Sequence, residues 1–431
     1  MFTSRFPALA TRDARIFYLG QFLSLVGTWM QNTVQPYVAY RISGQPIYLG
    51  LVGFSSTLPT LLFTLWGGVL VERVDKRKLI IFLQAVMMIQ AFMLAALTVS
   101  GLLTIWHIIV LAFVLGTANS IEITARQSWF VELVGRAALP NAIALQSSVF
   151  NVARVIGPAI SAPFLLAVQN GGEGWAFFAN GVSYFFVIIG LLSIRSVRQQ
   201  PNNPVAQADI PAATPARPST GLMSQFREGQ SYIRHSTLMV AVVVMAATMG
   251  ILGFTVLQQL PVFARDVLGQ PNDPDALVAA RNSALAAAQG VGALVASLLL
   301  TLSSKTTRQG LMLSIGQFVF CFALLGLGLA RQLPVAVLMM VLIGWGSVTM
   351  LASMNTLIQL TVPNALRGRV FSTYLWALQG SAPLGSLLIG GLAQRFGASF
   401  AAVLSAVGCL LIFTVVHWRT AVVREFRVER S

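Results

Sequence analysis

The sequence predicts an all-α membrane protein: twelve transmembrane helices in two pseudo-symmetric six-helix bundles. Three observations lead there. Apolar windows long enough to cross a bilayer recur along the whole chain. Basic residues favour every second connecting segment, in step with those windows. Blocks of the first half also return in the second at a constant offset of 225 residues.

Of the 431 residues, 56% are hydrophobic and only 10% are charged, whereas soluble domains carry about 25% charged residues. A helix of about 20 apolar residues crosses the roughly 30 Å hydrocarbon core. Such windows lie near 16–40, 47–71, 79–99, 104–125, 140–168, 174–194, 237–264, 278–302, 310–330, 333–361, 369–393 and 398–418. The first follows Arg5, Arg12 and Arg15 and runs on to about Tyr40. That is too long for a signal-peptide core, so it reads as a span.

The charge pattern is independent of the hydropathy. One set of segments carries Arg5, Arg12 and Arg15, then Arg73, Lys76, Arg77 and Lys78, then Arg126 and Arg136. It continues with Arg195, Arg198, Arg217, Arg227 and Arg234, with Lys305 and Arg308, with Arg367 and Arg369, and with Arg419, Arg424, Arg427 and Arg430. The opposite set holds only Arg41, Arg265, Arg281, Arg331 and Arg395. By the positive-inside rule both termini are expected in the cytoplasm of a bacterial-type inner membrane. The same rule accounts for the net charge of +15 without a nucleic-acid partner. Cys321 and Cys409 lie in apolar runs and make neither a disulfide framework nor a metal site.

Residues 195–236, with Pro201, Pro204, Pro211, Pro215 and Pro218, read as a polar linker. It separates a first bundle, 1–194, from a second, 237–431. Phe226–Ile233 at its end suggests a short amphipathic helix. Gln35-Pro36-Tyr37-Val38-Ala39 is echoed by Leu260-Pro261-Val262-Phe263-Ala264, and the same offset carries Gly157-Pro158 onto Ala382-Pro383. The repeats enter the membrane from the same side, so they are parallel.

Polar residues inside the windows are the functional candidates. Arg154 stands in Asn151-Val152-Ala153-Arg154-Val155-Ile156-Gly157-Pro158. An arginine at the centre of a membrane helix costs about 2.5–3.5 kcal/mol on insertion scales, so it is expected to face protein or a watery cavity. Asn151, Arg154 and Gly157-Pro158 share one helix face. Pro158 and its repeat partner Pro383 are expected to bend their helices. The offset gives Asn151 and Arg154 no polar counterpart of the same kind, only Trp376 and Gln379. The bend therefore reads as part of the fold, and the polar pair as a speciality of the first half.

Gln21, Ser24, Thr28, Gln31 and Gln35 form one stripe on the first span. Helix packing accounts for one or two such residues more easily than for five, so the stripe is a candidate cavity lining. Thr255, Gln258, Thr356 and Gln359 are the candidates on spans 7 and 10. Glu122 is the one acid well inside a window, with Arg126 one turn later. It reads either as half of an i,i+4 ion pair or as a proton-titrating group. Arg154 has three readings: a partner for Glu122, a holder of anionic cargo, or a lock between helices. Trp29, Trp66 and Trp345 suit core packing, or stacking on cargo.

The loop Gly67-Gly68-Val69-Leu70-Val71-Glu72-Arg73-Val74-Asp75-Lys76-Arg77-Lys78 resembles the Gly-x-x-x-Asp-Arg-x-x-Arg-Arg/Lys motif of the major facilitator superfamily, with Glu72 in place of the usual Asp. Gly20-Gln21, Ser24 and Gly27-Thr28-Trp29-Met30-Gln31 resemble the first span of its drug:proton antiporter-like subgroup, which includes macrolide and enterobactin exporters. So do Ala125-Arg126-Gln127 with Glu132-Leu133-Val134, and Gln359 with Val362-Pro363 and Arg367-Gly368-Arg369-Val370. Asn151, Ala153-Arg154 and Gly157-Pro158 resemble its antiporter motif, although Ala159-Ile160-Ser161-Ala162-Pro163 stands where a second glycine pair is usual. The resemblance implies that spans 1, 4, 7 and 10 line a central cavity. It also implies a conformational latch of Gly68, Glu72, Arg73 and Arg77 that steadies one state against span 11.

The expectation is a secondary active transporter that exports a drug, siderophore or metabolite by alternating access, with proton antiport. The alternatives are a lysophospholipid flippase or importer of the same fold, and a non-transporting solute sensor. The short tail, Arg419–Ser431, and the low-complexity linker disfavour the sensor. No metal cluster, nucleotide loop or nucleophile–base set is present, so neither enzymatic activity nor a cofactor is expected. The expected partners are a small-molecule substrate, the lipid bilayer and a proton gradient, and the chain is expected to act as a monomer.

Overall fold

The computed structural model describes residues 12–134, 139–167, 172–194, 222–302 and 308–420. The described residues form helices, with no strand among them. The first half holds α1 (Arg12–Ser43), α2 (Pro46–Arg73), α3 (Lys76–Val99), α4 (Ile105–Val134), α5 (Leu139–Leu166) and α6 (Gly172–Ser193). A linker helix, Leu222–His235, follows. The second half holds α7 (Thr237–Val267), α8 (Asp275–Leu302), α9 (Gln309–Leu329), α10 (Leu333–Thr361), α11 (Asn364–Phe396, in pieces) and α12 (Ala398–Arg419).

Of α1 to α12, eleven are long and apolar enough to cross a membrane. The exception is α1, which has the length, 32 residues, but carries the Gln/Ser/Thr stripe that lowers its hydropathy. Large apolar side chains such as Phe82, Leu192, Phe322, Leu411 and Trp418 are exposed on the outer surface, where hydrocarbon would cover them.

Local chemistry sets several boundaries. Asp75 caps α3 by accepting from the Lys78 amide at 3.1 Å. Arg77, expected in the latch, donates to the carbonyls of Leu191 and Leu192 at 2.9 and 3.0 Å and so satisfies the end of α6. The side chains of Gly68, Glu72 and Arg73 lie outside the described residues. So do linker residues 195–221. The linker helix docks on α11: Glu228 pairs with Arg369, and Gln230 donates to Thr373.

The backbone differs between the two positions where proline bends are expected. Helix α5 runs without interruption through both Pro158 and Pro163. Pro158 deprives the Arg154 carbonyl of its i+4 donor, and Gly290 of α8 packs over that carbonyl; a Cβ there would stand 2.6 Å from it. In α11 the interruption is a π turn at Trp376–Gly380, and Pro383 sits in the first turn of the helix that restarts at Ala382. Helix α7 is broken further, by a π turn at Met249–Gly253, a 3₁₀ turn at Phe254–Gln259 and a second π turn at Phe263–Val267. The two midspan π turns face each other: a Cβ on Gly250 would lie 2.2 Å from the Leu378 carbonyl.

The halves meet along α2–α11 and α5–α8. Gly50 and Gly390 let α2 and α11 cross with no side chain between them, since a Cβ on Gly50 would lie 2.5 Å from the Ser386 carbonyl.

Candidate functional site

Between the halves lie two adjoining cavities. The first, about 260 Å³, is lined from α1 by Trp29, Asn32, Thr33 and Pro36, from α5 by Arg154 and Pro158, and from α8 by Asn282, Ala286 and Gln289. Helix α7 completes it with Phe254, Leu257, Gln258, Leu260 and Pro261. Pro36 and Pro261, matched by the sequence repeat, thus line one space. The second cavity, about 220 Å³, is lined by Asn32, Gln35, Pro36, Leu49, Val52, Gly53, Ser56, Ala112, Leu115 and Gln258.

Arg154 supplies the charge. Its guanidinium lies over the Trp29 ring, 5.3 Å from the centroid, an arrangement that steadies an arginine by about 0.5–2 kcal/mol. Its Nε has no hydrogen-bond partner. Among the described residues it has no carboxylate partner either: Glu122 takes Arg126 at 3.3 Å and the Gln84 amide at 3.1 Å. Asn151 is spent within its own helix, donating to the Ser147 carbonyl at 2.9 Å. Gly157 brings α5 close to α1, since a Cβ there would lie 2.5 Å from the Trp29 Cβ. That closeness sets Arg154 over the indole.

The α1 stripe is turned mainly into the first bundle. Gln31 donates to Gln35 at 3.1 Å and to Gln90 at 3.2 Å, and it accepts from Asn180 at 2.6 Å. Thr28 and the Tyr184 hydroxyl are 3.1 Å apart. Gln21 and Ser24 are buried, and of the five Gln35 alone lines either of these two cavities. On α7, Gln258 lines both cavities, whereas Thr255 donates to its own helix at Ile251. On α10, Thr356 donates to Ala352 and Gln359 is exposed. Asn32, Asn282 and Gln289 were not among the sequence candidates. For Asn32 the signal was available: Trp29, Asn32, Thr33 and Pro36 follow the i, i+3, i+4, i+7 spacing of one helix face.

Beyond the cavities, at the end of the bundle away from the termini, the halves are tied together. Tyr37 donates to the Asp275 carbonyl at 2.9 Å and Tyr40 donates to Asp266, while Asn282 donates to the Thr33 carbonyl at 3.2 Å in the wall of the first cavity itself. Gln259 donates to the Pro46 carbonyl, the Ile47 amide donates to Gln394, and Ser161 meets Ser283 at 2.9 Å. Nearby, Arg41 and the buried Glu173 pair at 2.5 Å within the first half.

Known proteins match this chain over nearly its full length. The family model described as "Transmembrane secretion effector" matches residues 3–429. The staphyloferrin A transporter of Staphylococcus aureus is 26% identical over 385 residues, covering 89% of this chain and 90% of that one. The enterobactin exporter EntS of Shigella flexneri is 25% identical over 419 residues, covering 96% and 93%. Among solved structures, the nucleoside transporter NupG aligns with TM-score 0.66 at 12% identity, over 95% of this chain and 99% of that one. A bacterial homologue of the human lysosomal transporter Spinster aligns with TM-score 0.67 at 16% identity, over 96% and 98%. The structural likenesses show the fold. With the family model matched almost end to end, the chain is a major facilitator superfamily transporter and belongs to the transmembrane secretion effector family.

Proposed function

We propose that this transporter exports a small organic molecule, of the siderophore or related metabolite class, from the cytoplasm across a bacterial inner membrane. The observation that carries the proposal is an asymmetry of the interface among the described residues. Five hydrogen bonds join the halves at the end remote from the termini, with the Arg154 cavity on their inner side, and a sixth, from Asn282 to Thr33, crosses the cavity wall. With the termini cytoplasmic, as the basic segments favour, this is a state closed toward the outside. Rocking the halves would break those ties and expose the cavity to the other face. The exporter named among the relatives supports outward movement.

Protons entering the cell would drive the cycle. Glu122 is the candidate carrier, because it is buried and held by one arginine and one glutamine amide. The test uses inside-out vesicles with an acidic lumen, offered labelled staphyloferrin A and enterobactin. Gradient-dependent uptake is expected, with loss of coupling in Glu122→Gln. Full coupling in that variant would remove Glu122 from the mechanism. Uptake by right-side-out vesicles alone would make the protein an importer.

A further inference from the structure

The two cavities differ in chemistry and share a wall of Asn32, Pro36 and Gln258. The first holds the guanidinium of Arg154, an indole face and the amides of Asn32, Asn282 and Gln289. No carboxylate lines it. The second has Leu49, Val52, Ala112 and Leu115 on its own wall, with the Gln35 amide and the Ser56 hydroxyl as its unshared polar groups. Gln258 borders both. It reaches from α7 to the backbone of α2 at Gly53, where an added Cβ would stand 1.9 Å from its Oε1. That oxygen is buried and has no hydrogen-bond partner. A buried, unpaired amide oxygen is unfavourable, so moving Gln258 costs that oxygen no hydrogen bond.

We infer that the cargo site is one pocket in two chambers, built for a carboxylate-bearing molecule with an apolar extension. The carboxylate meets Arg154, and the extension passes Gln258 into the aliphatic chamber. This rests on the reading of the interface cavity as the cargo site. Three physical points carry it. Arg154 is the charged side chain of either chamber and has a donor to spare, and a guanidinium fork matches a carboxylate. Both chambers lack the acid that an organic cation would need. The aliphatic wall rewards apolar surface and offers little to a second charged group.

The test is binding to the full-length protein in lipid nanodiscs, read by ligand-observed saturation-transfer NMR with empty discs subtracted. The probes are benzoate, para-butylbenzoate and para-butylbenzylamine. Para-butylbenzoate should bind about tenfold or more tighter than benzoate, because the butyl group leaves water, and the amine should show no saturable binding. Arg154→Gln should weaken both acids about tenfold or more, and Arg154→Lys should recover part of the loss. Ala112→Phe should bring para-butylbenzoate down to the affinity that benzoate has in the same variant. If that variant does not fold, Ser56→Leu serves in the same measurement. The inference is overturned if the amine binds as well as the acid, if no probe binds, if Arg154→Gln changes nothing, or if the butyl advantage survives a filled second chamber. The export reading fails separately. If the binding pattern holds but saturating para-butylbenzoate leaves vesicle transport untouched, the two-chamber anion site stands and its role as the cargo site does not.

Discussion

Removing two phenolic hydroxyls should open the outer end of the transporter. Tyr37 donates to a backbone carbonyl of α8, and Tyr40 donates to the carboxylate of Asp266 in the last turn of α7. Both rings are buried while Asp266 is exposed. A neutral hydrogen bond contributes about 1 kcal/mol net. One to an exposed carboxylate stands near the low end of the charged range, about 1.5 kcal/mol. Tyr37→Phe with Tyr40→Phe leaves the packing in place and removes about 2.5 kcal/mol from the closed state, which shifts the equilibrium between states roughly 60-fold. A closed-to-open ratio of about 99 to 1 would become nearly even. Spin labels at Gln45→Cys and Gln270→Cys, both exposed and one in each half, report the gap by pulsed electron–electron distance measurement. The native Cys321 and Cys409 are buried and should not compete for label. The double phenylalanine variant should show a second, longer distance population comparable to the first, with each single variant in between. A distribution identical to wild type would refute the view that these ties hold the outer end shut.

Other outcomes follow from the packing. Gly157→Val should lower stability by about 1–3 kcal/mol in thermal unfolding, since its first added atom meets the Trp29 Cβ at 2.5 Å and the Val26 carbonyl at 2.8 Å. Gly391→Ala, whose Cβ would meet only the Ile47 Cδ1 at 4.0 Å, should stay within about 0.5 kcal/mol of wild type. Arg41→Ala strands the buried Glu173 carboxylate and should cost about 3 kcal/mol, while Arg41→Ala with Glu173→Gln should recover most of it. In the loop before α8, the Gln270 amide and then Arg281 hold the Asp273 carboxyl below the usual carboxylate range. Its contribution to stability is therefore present above that range and is lost as pH falls through the lowered folded value. Melting temperature followed into acid should show Asp273→Asn losing less than wild type.

What the sequence could and could not reveal divides along a physical line. The helices were legible because bilayer thickness fixes their length. The polar stripe of α1 was legible as a stripe, but not in its direction. Periodicity says that Gln21, Gln31 and Gln35 share a side; Gln90 on α3 and Asn180 on α6 decide that this side faces the bundle. One residue further, a turn of about 100°, Asn32 looks into the cavity. Arg154 was legible, because an arginine in an apolar window needs a reason wherever it points. Its unpaired state was not, since it depends on Glu122 being claimed by Gln84 and Arg126. The broken helices make the same point in the backbone. Proline marked α5, which runs on, because neighbouring helices can accommodate a freed carbonyl in lipid. The midspan π turns of α7 and α11 arise where Gly250 lets the two helices press backbone to backbone at Leu378. Such a break belongs to a pair of helices, so neither helix's own residues announce it. It is also where a transporter that rocks two rigid halves would gain by having a helix that can yield.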